Sequence, residues 1–442
     1  MSGAAMTPGK QLAREIFRDT LAALDIPRVM ELKLELVGSR LIFENGAIEL
    51  SGCSSLFVIA VGKAAHAMAA GLRAFLPDAY VFRGVVAAPT KPAAPIPGLA
   101  YFVAGHPDPN EDSWRAAEAI LALLREADER SVVFFLLSGG GSALLELPLV
   151  PGMQLEHLRA ANHALVTCGA PIEAMNTVRR HLSAVKGGRL ALAAARATKV
   201  TLAVTDVPEG KENALASGPT LPDPSTIAEV NRIVEQYGLR QRFPEVLVRW
   251  LDAGKMPETP KPGDPAFHNA HFQLLLGMHD LFHAAHHATE ARGYLTCCDN
   301  TTDDWPVAEA AGALLNKLEE WRSENPGERV ALIADGELSS PVTGNGMGGR
   351  NSAFVLSCVE RIAGRNITVL SVGTDGIDGN SPAAGAVADG ETSALAKALD
   401  LDPAAAFRHS DAYTFFAKLN DAILTGPTGN NLRDLRIFLT EP

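Results

Sequence analysis

Short β-rich runs recur along the chain, each stopped by glycine or a polar turn and followed by helical spacing. Residues 56–61 run into Gly62-Lys63 and then an alanine-rich segment reaching Phe75. Residues 132–137 run into Ser138-Gly139-Gly140-Gly141-Ser142, and 199–204 into Thr205-Asp206. Residues 329–333 lead to Asp335-Gly336-Glu337, and 367–372 to Gly373-Thr374-Asp375-Gly376. Apolar runs of strand length that alternate with helical segments predict an α/β fold with largely parallel sheets, flanked by helices on both faces. In such sheets ligands gather at the carboxyl ends of the strands. The glycines, acids and lysine named above all fall there. At the amino terminus, Leu12, Ile16, Phe17, Leu21 and Leu24 keep helical spacing.

A chain of 442 residues exceeds what a single core usually serves, so two domains are expected. Residues 251–265 hold four prolines and two glycines and carry no periodicity, which reads as a linker. The expected division is therefore 1–250, a linker at 251–265, and 266–442. The formal net charge of −12 opposes non-specific attraction to nucleic acid or anionic membranes. No apolar run approaches a membrane span, and residues 1–10 lack the pattern of a secretion signal. Five cysteines without a C-x-x-C pair suit a reducing cytoplasm, with adjacent Cys297 and Cys298 read as ordinary thiols.

Several segments have the residue types that anion chemistry needs. Ser138-Gly139-Gly140-Gly141-Ser142 follows a strand and opens a helical pattern, where close backbone approach and free N–H groups suit a phosphate; a plain tight turn is the alternative. It is not a Walker A loop, because no Gly-Lys-Ser/Thr ends it. Lys63 opens a helix, where its charge opposes the helix dipole unless an anion or solvent compensates. Residues 176–189 concentrate Arg179, Arg180, His181, Lys186 and Arg189, either lining a cleft or forming a solvated helix face. Gly344, Gly346, Gly348 and Gly349 precede Arg350 and Asn351, so a second glycine loop carries an arginine able to grip a phosphoryl or carboxylate. Asp206, Glu337, Asp375 and Asp378 stand at strand ends as a metal-plus-base set or as turn residues.

With these stretches assembled, the sequence resembles the class-II glycerate kinases, whose carboxyl-terminal part is the MOFRL domain; some members carry the label hydroxypyruvate reductase. The matching segments are VGKAAHAMA (61–69), AGHPDPNE (104–111), LLSGGGSALLELP (136–148), NTVRRHLSAVKGGRLA (176–191), VTDVPEGKENALASGPT (204–220), GNGMGGRN (344–351), SVGTDGIDGNSPAAGAVADG (371–390) and LTGPTGNNLRDLRI (424–437). The resemblance implies two α/β domains, the first Rossmann-like, with the active site in the cleft between them. It implies MgATP-dependent phosphorylation of D-glycerate to 2-phosphoglycerate; a cytoplasmic chain that forms a homodimer is the expectation. Its important lysine falls on Lys63 and its important arginine on Arg350.

On this basis Lys63, Arg350 and Asp206 are the expected catalytic residues. Ser138, Gly139, Gly140, Gly141, Ser142, Gly344, Gly346, Gly348 and Gly349 are expected to hold ATP, and Asn176, Arg179, Lys186 and Asn351 the hydroxy acid. Asp206, Glu337 and Asp375 are the expected Mg²⁺ ligands. Three departures from the family pattern stand out: Glu209-Gly210-Lys211 in place of Gly-Asp-Asp, Asn380-Ser381-Pro382 in place of Pro-Thr-Asp, and Ser352-Ala353 after Asn351. A more positive pocket would admit a four-carbon hydroxy acid. A hydroxypyruvate reductase would need a nicotinamide site, and no strand is followed directly by G-x-G-x-x-G with an acid about 20 residues later. A binding protein that has lost catalysis is the third reading.

Overall fold

The computed structural model describes residues 6–53, 55–205, 207 and 210–442. The chain forms two compact units, one of residues 26–277 and the other of residues 1–25 with 278–442. All five apolar runs singled out above are strands.

In the unit of residues 26–277, β1 (Leu34–Val37), β2 (Arg40–Phe43) and β3 (Gly46–Glu49) form a small antiparallel sheet. The main sheet contains β4 (Ser55–Val61), β5 (Phe82–Ala88), β6 (Leu99–Val103), β7 (Ser131–Ser138), β8 (Thr198–Val204) and β9 (Ala270–Leu276). All its pairings are parallel, in the order β6-β5-β4-β7-β8-β9. Burial of every residue of β7 explains why its sequence lacks polar alternation. Phe57, Ile59, Phe135 and Leu137 pack with Ala116, Ile120 and Leu124 of the helix Glu111–Leu124. Each such side chain contributes about 1.5–3 kcal/mol by leaving water.

In the other unit, β10 (Leu295–Asp299), β11 (Val330–Asp335), β12 (Ile367–Gly373), β13 (Gly385–Asp389), β14 (Ala422–Ile423) and β15 (Asp434–Thr440) form a mixed sheet. β10 and β11 are parallel, as expected for this half. The carboxyl-terminal β15 lies antiparallel between β11 and β12, and β13 pairs antiparallel with β12. No helix separates β12 from β13, so no crossover brings the chain back in the same direction. Phe354 and Val355 of the helix Arg350–Val359 pack with Leu332 and Phe438 of the sheet.

The division of the chain differs from the one expected at 251–265. That segment packs within the unit of residues 26–277: Asp223 donates its N–H to the Pro260 carbonyl at 2.9 Å, and Arg189 reaches the carbonyls of Pro257 and Glu258. It is a strap leading to β9, and proline suits a strap that forms no ladder bonds. The amino-terminal helix Pro8–Ala23 instead belongs with the carboxyl-terminal half. Buried Lys10 lies 2.7 Å from Asp421 and 3.5 Å from Asp389, and Arg14 donates to the carbonyls of Asn420 and Ala422. Among the described residues no helix is long and apolar enough to cross a membrane.

Candidate active site

The order β6-β5-β4-β7-β8-β9 has its switch point between β4 and β7, because the chain leaves β4 toward one edge and resumes at β7 toward the other. Loops diverge at the carboxyl ends of such a pair and leave a crevice for a ligand. Lys63 follows β4 and the Ser138–Ser142 turn follows β7, so the fold brings these two sequence candidates together. Lys63 donates its backbone N–H to the Gly139 carbonyl at 2.9 Å, and Ala64 donates to Ser138 Oγ at 3.0 Å. Gly62 is required here. Its φ is +129°, and a Cβ would fall 2.1 Å from Ser138 Oγ.

The two serines of the turn serve the protein itself. Ser138 is fully buried beneath Ala64, and Ser142 Oγ lies 2.9 Å from Ser217 Oγ. The helix expected after the turn is a single turn, Gly141–Leu144. Among the described residues no protein oxygen accepts from the N–H groups of Gly140, Gly141 or Ser142. The glycine backbone, rather than the serine hydroxyls, is thus the part of this turn suited to an anion.

Of the residues proposed for the hydroxy acid, Lys186 is buried and ion-paired with Glu146, whose other oxygen accepts from Ser183 Oγ at 2.6 Å. Burial pushes the Lys186 ammonium below its ordinary pKa, with Glu146 opposing. Its ammonium also donates to the Leu145 carbonyl at 3.3 Å, and the side chain lines a small cavity with Val61, Leu137 and Gly141. Arg179 is half-buried, with burial lowering its pKa and Glu146 raising it. Asn176 is nearly buried on the same helix, Ile172–Leu182.

The second glycine loop differs from its expected use. Gly346 N–H donates to the His409 carbonyl, Met347 N–H to Asp411, Gly348 N–H to Asn380 Oδ1 and Gly349 N–H to Asp378. These four N–H groups are satisfied within the protein itself. Its glycines answer to packing: a Cβ on Gly344 would lie 2.4 Å from the His409 carbonyl oxygen, and one on Gly349 2.4 Å from Asp378. Asp378 accepts from the N–H groups of Gly349, Asn351 and Ser352 and from Ser352 Oγ, filling the positive end of the helix Arg350–Val359. Burial raises its pKa, and the bonds from Ser352 and Asn351 pull the other way. Replacing Asp378 with alanine is expected to cost about 2–4 kcal/mol of stability, since the orphaned donors stay buried; urea unfolding would measure it.

Arg350 extends from the first residue of that helix. Its Nε donates to Asp434 at 2.5 Å, and its Nη2 lies 3.3 Å from Asp434 and 3.0 Å from Glu337. Burial works against the charged form, but Asp434 and Glu337 together hold the guanidinium above its ordinary pKa. These bonds use Nε and Nη2. Asn351 is buried and accepts from Ser371 Oγ at 2.6 Å through its Oδ1.

Asp206 lies outside the described residues, as do Pro208 and Glu209. Glu337 is committed to Arg350, and Asp375 accepts from the Ile377 N–H at 3.0 Å. Among the described residues no group of three or more His, Cys, Asp or Glu is placed to hold a metal ion. Glu337 and Asp375 therefore form no metal cage with other described residues. That donor set fits Mg²⁺ only in the manner of a nucleotide-borne ion, which takes one or two protein carboxylates and leaves the rest to phosphate and water. Two departures have local explanations. Lys211 pairs with Glu173 at 3.1 Å, both exposed, and Asn380 bridges the glycine loop through Gly348 N–H and the Gly346 carbonyl. Sequence reasoning missed Asp434, which no local pattern links to Arg350, and His106, which stood within a quoted motif without a role.

The fold and these turns define an α/β protein with an anion-suited switch point in one unit and a clamped arginine in the other. Family models agree with this division of features: residues 12–252 match the domain of unknown function DUF4147, and residues 330–434 match the MOFRL family. The chain is 36% identical over 390 residues to the D-glycerate 2-kinase of Thermotoga maritima, covering 87% of this chain and 90% of that one. It is 30% identical to the glycerate 2-kinase of Pyrococcus horikoshii, with 97% of each covered. An Agrobacterium vitis protein named as a hydroxypyruvate reductase is 37% identical, with 86% of each covered. The crystal structure of Thermotoga maritima glycerate kinase superposes with a TM-score of 0.83 at 33% identity, covering 98% of this chain and 99% of that one. The chain belongs to the DUF4147 and MOFRL family that includes these glycerate 2-kinases.

Proposed function

We propose that this chain phosphorylates D-glycerate to 2-phosphoglycerate with MgATP as donor. The observation that carries the reading is Lys63 beside the glycine turn at the β4–β7 switch point. Near full-length likeness to proteins named glycerate 2-kinase supports it. In the reaction a bond forms between the glycerate C2 oxygen and the γ-phosphorus, the bond to ADP breaks, and the hydroxyl proton passes to a carboxylate. Asp206 is the carboxylate proposed for that proton. Phosphoryl transfer needs positioning and charge neutralisation more than covalent help. Lys63 supplies charge to the moving phosphoryl group, and the Gly139–Gly141 backbone supplies N–H donors. Arg350 offers Nη1 to that group or to the glycerate carboxylate. Asp375 would hold Mg²⁺ together with phosphate oxygens, and the ion would supply charge neutralisation there.

Coupled release of ADP on mixing MgATP with D-glycerate is the direct test. A reductase would instead oxidise NAD(P)H with hydroxypyruvate and leave ATP intact. The turn after β4, Val61-Gly62-Lys63-Ala64, has one glycine where a dinucleotide fingerprint has three, which favours the kinase.

The same geometry bears on substrate length. The charge gained at Lys211 is paired with Glu173 on the surface, which supports the reading that it adds no positive field for a longer or more acidic substrate. The kcat/KM for D-glycerate is expected to exceed those for erythronate, threonate and tartrate by at least about tenfold, or ~1.4 kcal/mol of transition-state binding. A four-carbon acid preferred by that margin would overturn the glycerate assignment and leave the kinase assignment standing.

A further inference from the structure

We infer that His106 is a ligand-contacting wall of the Lys63 site, donating a ring N–H to an anionic oxygen of the bound substrate or nucleotide. This rests on the reading that the turns after β4 and β7 receive such an oxygen. His106 follows β6, two strands away from β4 across the sheet, yet its ring lies over Gly140 in the turn after β7. A Cβ on Gly140 would be 3.0 Å from His106 Cδ2, 3.2 Å from His106 Nε2 and 3.5 Å from Lys63 Cγ. Gly140 thus forms a floor on which the imidazole and the lysine stem both rest. Its φ of +81° and that crowding give two separate reasons for glycine there.

The loop carrying His106 is anchored along its length, while the residue itself is exposed. Ala104 N–H donates to the Ala88 carbonyl at 2.9 Å, and Gly105 N–H to Ser113 Oγ at 3.0 Å. Asn110 caps the helix Glu111–Leu124 by accepting from Ser113 N–H at 2.9 Å, and its amide donates back to the Val103 carbonyl at 3.0 Å. Arg159 Nε holds the Pro109 carbonyl at 3.0 Å. A surface imidazole with only a solubilising role needs no such anchorage. A preorganised donor beside an ammonium does, because geometry fixed before binding lowers the cost of binding. One cation and one imidazole on a shared glycine floor suit a phosphate or a carboxylate, both of which present several acceptor oxygens.

The test uses the full chain labelled with ¹⁵N-histidine, the His106 ring signals being those lost in His106→Gln. Wild-type protein is titrated separately with MgATP, D-glycerate and inorganic tripolyphosphate. His106 is expected to shift with MgATP and tripolyphosphate if it meets the nucleotide phosphates, or with D-glycerate if it meets the carboxylate. Calorimetry should show Kd for that ligand weakened about tenfold in His106→Gln, as for one lost hydrogen bond. Ring signals unmoved by all three ligands, or a Kd within twofold of wild type, would overturn the inference. Failure of D-glycerate and MgATP to react would instead defeat the kinase reading. The three titrations then still decide the role of His106, a shift with any one ligand supporting it and no shift with any of them rejecting it.

Discussion

Lys63→Ala is expected to lower kcat for glycerate phosphorylation by on the order of 10²–10³, about 2.7–4 kcal/mol of transition-state stabilisation. The melting temperature should change little. The turn at Lys63 is held by its backbone N–H on the Gly139 carbonyl and by Ala64 N–H on Ser138 Oγ, and alanine keeps both bonds. What is lost is the side chain beyond Cβ, the stem against Gly140 and the ammonium. If the lysine serves the phosphoryl group in flight, KM for glycerate should move far less than kcat. Steady-state kinetics beside a thermal melt measure both quantities. Near-normal turnover would remove Lys63 from the chemistry, and an unfolded variant would show that its side chain holds the turn.

The parts of this fold legible in the sequence are those written locally. β4, β7, β8, β11 and β12 are runs rich in apolar and β-branched residues, and their carboxyl ends carry the glycines and polar residues that turns require. Lys63 and the triple glycine were readable for the same reason, since each sits at a strand end. What the sequence hid depends on partners far along the chain. Lys10 finds Asp421 across 411 positions, which draws the first helix to the carboxyl-terminal half. β15 enters between β11 and β12 by a pairing that no local pattern encodes. The loop from Gly344 to Gly349 looked like a cradle because four glycines imply close approach. What approaches is the protein's own Asp378, Asp411, Asn380 and His409. Lys186 stood out by its charge, but Glu146 cancels it inside the fold.

Arg350→Ala is expected to cost a similar 10²–10³ in kcat, and here structural and catalytic roles have to be separated. The guanidinium is clamped by Asp434, which is itself almost fully buried, so truncation leaves a carboxylate in need of a partner. Arg436 stands 3.8 Å from Asp434 and remains to meet it, so the loss of stability should stay near ~1–2 kcal/mol. Arg350→Lys separates the two roles. A lysine can pair with Asp434 as a point charge, but it cannot hold that carboxylate and present a second N–H in the fixed plane of a guanidinium. Its melting temperature should therefore return toward wild type while kcat remains depressed by at least about tenfold. The measurement is paired kinetics and thermal unfolding for both variants. Activity that recovers in step with stability in Arg350→Lys would reduce Arg350 to a structural tie between its helix and β15.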